Sequence, residues 1–112
     1  MENLLKVSFE AHNDEKNHHR RYEVTVGRDL FGCWTLATRY GRTGNSGREL
    51  RFSGSETGEL RTIIRDRLLR RLSAPNRIGC PYRLAGFNAA PGVDTSFWLL
   101  ADIVAQFLYM IQ

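Results

Sequence analysis

Tyr40, Gly41 and Arg42 stand in a row where an alternating run meets a turn punctuated by glycines. Their types suit binding. An aromatic ring stacks on a sugar or a base, and a guanidinium forks onto a phosphate. Arg39 puts a second guanidinium on the near side of the ring. Gly41, Gly44 and Gly47 let the backbone take positive φ or pass close to a neighbour. An ordinary hairpin end has the same composition, with Arg42 tying the turn to the sheet, and both readings stand at this level.

The charge pattern favours an anionic partner. The net charge is +4, but residues 20–83 hold all fourteen arginines against six acids, while the rest holds Lys6 and Lys16 against six acids. The central segment therefore carries an all-arginine excess, which suits a polyanion such as nucleic acid. Arg48 and Arg51 lie just past the turn and would add non-specific attraction.

The elements that must position these residues are short. Leu5, Val7 and Phe9 alternate with Lys6, Ser8 and Glu10, a half-buried strand. Residues 11–19 read as a polar loop. Tyr22, Val24 and Val26 mark a second strand, Cys33 to Tyr40 a third, and Leu50 with Phe52 a fourth. Short connections imply an antiparallel meander. Leu60, Ile63, Ile64, Leu68 and Leu72 then fall on one helical face, with Ser53 and Glu56 spaced as a capping box and Ser55 as the other candidate cap. Arg61 with Arg65 and Arg67 with Arg71 are like-charge pairs at i, i+4, each destabilising by about 0.2–0.5 kcal/mol. A nearby anion or a solvated face would relieve them. Residues 73–76 stop the helix, and Pro81-Tyr82-Arg83-Leu84 reads as a last strand, with a linker at Ala89-Ala90-Pro91-Gly92.

From Thr95 to Gln112 the chain is apolar nearly all round, with Asp94 as N-cap and Asp102 and Gln106 as its mid-helix polar side chains. Such a helix must be buried, against its own sheet or against a second subunit. It is short for a membrane span and carries a carboxylate, so no membrane is expected. The expected fold is α+β: a small twisted antiparallel sheet of about five strands with one amphipathic helix, plus a C-terminal apolar helix. Residues 1–88 form the domain and 89–112 the linker and tail.

Several chemistries find no support. The glycine turn lacks the Gly-Lys-Ser/Thr of a phosphate-binding P-loop. No cofactor fingerprint is present. His12, His18 and His19 lie in a polar loop without metal-ligand spacing, so no metal is expected. Cys33 and Cys80 show no such spacing either and read as reduced core residues. With no signal peptide in Met1-Glu2-Asn3 and the residues after it, a cytoplasmic location is expected. No catalytic residues are assigned.

The order of these motifs resembles the WGR domain. The residues that carry the likeness are Asn17, Arg21-Tyr22, Asp29-Leu30-Phe31-Gly32-x-Trp34-x-Leu36 and Tyr40-Gly41-Arg42-x-Gly44-x-x-Gly47. Phe52-Ser53 before the helix and Pro81-Tyr82-Arg83-Leu84 continue it to residue 87. The chain is similar to small stand-alone bacterial members, and better understood members are modules of DNA-break-sensing poly(ADP-ribose) polymerases. The resemblance implies a sheet with a helix, DNA as partner and no cofactor. It implies that Tyr40 takes the place of a tryptophan that packs on a sugar near a DNA end. Arg42 takes the place of the motif arginine, Tyr82 that of a tyrosine near a terminal phosphate, and Asn17 that of a polar loop residue beside it. The polymerase catalytic domain is not among the matched motifs, so a binding module without catalysis is expected. The alternative is a protein-interaction module, with homo-oligomerisation through residues 95–112.

Overall fold

The computed structural model describes residues 2–15, 17–72, 82–99, 103 and 105. Among these described residues, five strands and two helices follow in the order β1 (Glu2–Asn13), β2 (His18–Arg28), β3 (Trp34–Arg42), β4 (Arg48–Gly54), α1 (Thr57–Leu72), β5 (Arg83–Ala89) and α2 (Thr95–Leu99). The sheet order is β4-β3-β2-β1-β5, antiparallel throughout. The first four strands form the expected meander, and α1 carries the chain across one face so that β5 pairs with β1 at the far edge. The architecture is α+β, as expected from the change of period after Phe52.

Alternation decides what is buried. Leu5, Val7, Phe9 and Ala11 of β1, Tyr22, Val24 and Val26 of β2, and Leu36 of β3 all point to the helix side. Leu60, Ile64 and Leu68 of α1 meet them, one apolar ridge at i, i+4 and i+8. The opposite face of the sheet is open and polar.

Two local readings change. Residues 11–19 are not a loop: β1 and β2 stay paired through Ala11↔Arg20, His12↔His19 and Asn13↔His18. Polar side chains hid this stretch, yet Ala11 keeps the buried parity of Phe9. The chain turns at Asp14, Glu15 and Asn17, where the Asn17 N–H donates to the Asp14 carbonyl at 3.1 Å, with Asn17 at φ 53°. Asparagine is among the few side chains that accept this conformation readily. The Ser53–Glu56 capping box also fails. Ser53 is held in the β4 ladder opposite Thr35, and α1 begins only at Thr57. Pairing with β1 likewise carries the last strand on to Ala89, past the residue 84 expected.

Asp94 does cap α2, accepting from the Phe97 N–H at 3.2 Å and the Ser96 hydroxyl at 2.7 Å. These bonds hold its carboxyl below the ordinary aspartate range, the Ser96 bond most strongly. Trp98 and Leu99, with Ile103, are buried in the subunit's own core. Trp98 lies 5.1 Å from the Trp34 ring, and Arg61 donates to the Phe97 carbonyl at 2.8 Å, so α1 and α2 are joined. The helix stop at 73–76, Cys80, Pro81, the Asp102–Gln106 pair and residues 106–112 lie outside the described residues. Among the described residues no helix is long and apolar enough to cross a membrane.

Candidate nucleic-acid interface

The strand period separates residues that are adjacent in sequence. In β3, Tyr40 follows Leu36 and Thr38 onto the helix side, facing Tyr22 of β2 and Arg48 of β4. Arg39 points to the open face, between Glu23 and Glu49. The two candidate surfaces therefore differ in charge chemistry.

On the open face lies a concavity of about 390 Å³ that includes Lys6, Arg21, Arg39 and Arg51. Tyr40, Gly41 and Arg42 also line it. Lys6, Arg21, Arg39 and Arg51 already have carboxylate partners, while Arg42 is held by Asn17. Glu23 takes Arg21 and, at 3.8 Å, Lys6. Glu49 takes Arg51 at 3.1 Å and Arg39 at 3.4 Å. The Arg51 hydrogen bond, then the Arg39 bond, holds the Glu49 carboxyl below the ordinary range. Arg39 also donates to the Ser46 carbonyl at 3.1 Å, bracing the turn.

Arg42 and Asn17 are brought together, but onto each other. The guanidinium donates to the Asn17 carbonyl at 3.1 Å and to its Oδ1 at 2.9 Å. This bidentate grip fastens the end of β3 to the β1–β2 turn. Arg42 remains exposed, and Gly41 lies beside it in the ladder opposite Arg21. Arg48 is exposed opposite Tyr40 and lines neither concavity.

The helix side holds the more telling arrangement. A cleft of about 270 Å³ is lined by Arg20, Tyr40, Gly41, Leu50, Arg67, Arg70, Arg71 and Tyr82. No carboxylate is among these described residues. Arg20 comes from β2 and forms one wall. Arg67, Arg70 and Arg71 come from one side of α1 and form the other. Tyr40 is half-buried between them, and Tyr82 is buried just before β5. The Arg71 guanidinium lies 4.1 Å from the Tyr22 ring centroid and 5.6 Å from that of Tyr40, a cation–π stack that fixes its position. Arg67 sits 5.8 Å from the Phe52 ring.

Sequence reasoning placed Tyr40 and Tyr82 in one site and missed the α1 arginines as their neighbours. The signal was there in the repelling Arg67–Arg71 pair. Arg61, of the other repelling pair, is explained by its bond to Phe97 instead. The histidines are likewise placed by the hairpin: His12 and His19 are cross-strand partners with Nδ1 atoms 2.9 Å apart. Among the described residues no group of three or more side chains is arranged to hold a metal.

Tyr22 forms the floor of this region and is fully buried. Burial pushes its phenol above the ordinary 10, opposed by Arg71 and Arg67. The fold thus favours the neutral phenol. Its contribution to stability is complete below the unfolded value and is lost as pH rises through the folded one. The difference in tyrosinate absorbance between the wild type and Tyr22→Phe is expected to titrate above the ordinary phenol value, with the unfolding free energy of the wild type falling above about pH 10. A difference that titrates at or below the ordinary value would contradict this.

A meander sheet backed by α1, with aromatic rings and arginines gathered at one end, defines a small α+β domain. Residues 5–58 match the family model of the WGR domain, which places this part of the chain in the WGR-domain family. That family is in general one of nucleic-acid-binding modules. The match spans β1 to β4 and the first residues of α1, so Arg67, Arg70, Arg71 and Tyr82 lie beyond it. A search of curated proteins finds no match to this chain.

Proposed function

We propose that this protein is a nucleic-acid-binding module, without catalytic activity of its own, that holds DNA by its backbone, at ends or as single strands. The observation that carries the reading is the helix-side cleft, where Tyr40 and Tyr82 sit among four arginines with no carboxylate in the described lining. Tyr40 stacks on a sugar or base, and the guanidinia of Arg20, Arg67, Arg70 and Arg71 take phosphate oxygens. Arg42 and Asn17 shape the rim by fixing the turn beside it. Arg39, Arg48 and Arg51 contribute longer-range attraction, reduced on the open face by Glu49.

The size of the cleft speaks for an unpaired nucleotide or an end over a continuous duplex. A volume of about 270 Å³ takes little more than one nucleotide-sized group. Arg71 of α1 is engaged by the sheet's own Tyr22 and Tyr40 rings, so these arginines serve a cleft between helix and sheet rather than a helix laid in a major groove.

Fluorescence anisotropy with a short labelled single strand, repeated across salt concentrations, tests this. Log affinity is expected to fall linearly with log salt. Tyr40→Ala is expected to cost about 1–3 kcal/mol, with Tyr40→Phe retaining most of the affinity. Salt-independent binding, or unchanged affinity in a Tyr40→Ala/Arg42→Ala double variant, would overturn the reading.

A further inference from the structure

The loop between β2 and β3 holds two large apolar side chains in water. Leu30 is 88 % and Phe31 91 % exposed. This is no slack loop. The Asp29 carboxylate accepts from the Phe31 and Cys33 N–H groups, both at 2.9 Å, and the Asp29 N–H donates to the Cys33 carbonyl at 3.0 Å. Gly32 turns the chain at φ 79°, and its N–H donates to the Asp29 carbonyl at 3.1 Å. The loop is thus closed on itself and presents a preorganised apolar knob.

An apolar hollow lies at the same end of the sheet. It measures about 360 Å³, and its walls include Leu4, Trp34, Val93, Phe97 and Trp98, with Asp94 at the edge. The knob does not fill the hollow of its own chain, as its exposure shows. We propose that Leu30 and Phe31 of one copy insert into the Leu4–Trp34–Val93–Phe97–Trp98 hollow of a second copy, and reciprocally, forming a two-fold dimer.

Two observations favour a second copy as the occupant. Knob and hollow sit at one end of the sheet, as a self-complementary two-fold contact requires. The area suffices. A side chain of this class buries roughly 150–250 Å². Two reciprocal insertions, with the walls they cover, reach roughly 1,200 Å², the lower bound of stable interfaces. The arginine cleft is at the opposite end, where Arg20 pairs with Arg42 and Tyr40 with Arg48. The dimer therefore leaves both clefts outward, which makes the assembly bivalent toward a single polyanion.

Sedimentation velocity over a concentration series tests the dimer, using the full chain. The wild type is expected to double in apparent mass as concentration rises. Leu30→Ser/Phe31→Ser, a change confined to solvent, is expected to remain monomeric throughout, and so is Val93→Arg, which blocks the hollow. A wild type that is monomeric at every concentration overturns the proposal. So does a dimer that survives the Leu30→Ser/Phe31→Ser change or the Val93→Arg change.

Discussion

Arg20→Gln/Arg70→Gln is expected to weaken binding of a short single-stranded DNA by roughly ten- to hundredfold at low salt and to flatten its salt dependence. The two residues stand on opposite walls of the cleft, one on β2 and one on α1. Both are exposed, so the double change leaves the core intact. Arg71 is a poorer probe because its guanidinium stacks on the buried Tyr22 ring. Each phosphate contact on a single strand contributes about 0.7 to the slope of log affinity against log salt, so two lost contacts remove about 1.4. Arg39→Gln/Arg51→Gln is the matched control. Both of these arginines share the Glu49 carboxylate, and their loss is expected to change affinity by less than about threefold, as for most exposed ion pairs. A reversed ranking, with the Arg39/Arg51 variant losing slope, would move the interface to the open face of the sheet.

Why the α1 arginines were not legible as site residues follows from what carries each signal. Local periodicity is enough to find β3 and the ridge Leu60–Ile64–Leu68, because burial of one face repeats every second or every third and fourth residue. It also implies that Arg39 and Tyr40 point to opposite faces. It does not say which face α1 covers. That depends on the crossover from β4 to β5, a non-local event, and only the crossover brings Arg67, Arg70 and Arg71 to Tyr40. The histidine-rich stretch failed for a different reason. A strand whose outward residues are all polar, in the absence of further apolar partners, has the composition of a loop, and Ala11 alone is too small a clue. Ion pairing is likewise invisible in composition. Arg39 and Arg51 count toward the basic excess, yet the ladder places Glu49 beside them.

Gly47→Ala is expected to lower the unfolding free energy by about 2–4 kcal/mol, against about 1 kcal/mol for Gly44→Ala. The two positions share a positive φ and differ in their surroundings. Gly47 has φ 71° and Gly44 has φ 93°, so an alanine is strained at either. A Cβ on Gly44 meets nothing within 4 Å, whereas one on Gly47 falls 2.6 Å from the Tyr40 carbonyl oxygen and 3.1 Å from its carbon. Those are backbone atoms and cannot swing aside. Relief requires parting β3 from β4 at the Tyr40↔Arg48 pair, which also displaces the Tyr40 ring. Gly41→Ala belongs with Gly47→Ala, since its Cβ would lie 2.8 Å from the Gly47 Cα. Urea-unfolding midpoints for the three variants check the order, and equal costs at positions 44 and 47 would show that the close approach is absent. The same geometry divides labour within the motif. Gly41 serves the backbone contact with Gly47, and Arg42 grips Asn17, so the two hold the turn that carries Tyr40. A folded Gly47→Ala protein is therefore expected to bind single-stranded DNA more weakly even with every cleft arginine in place, because the ring they surround has moved.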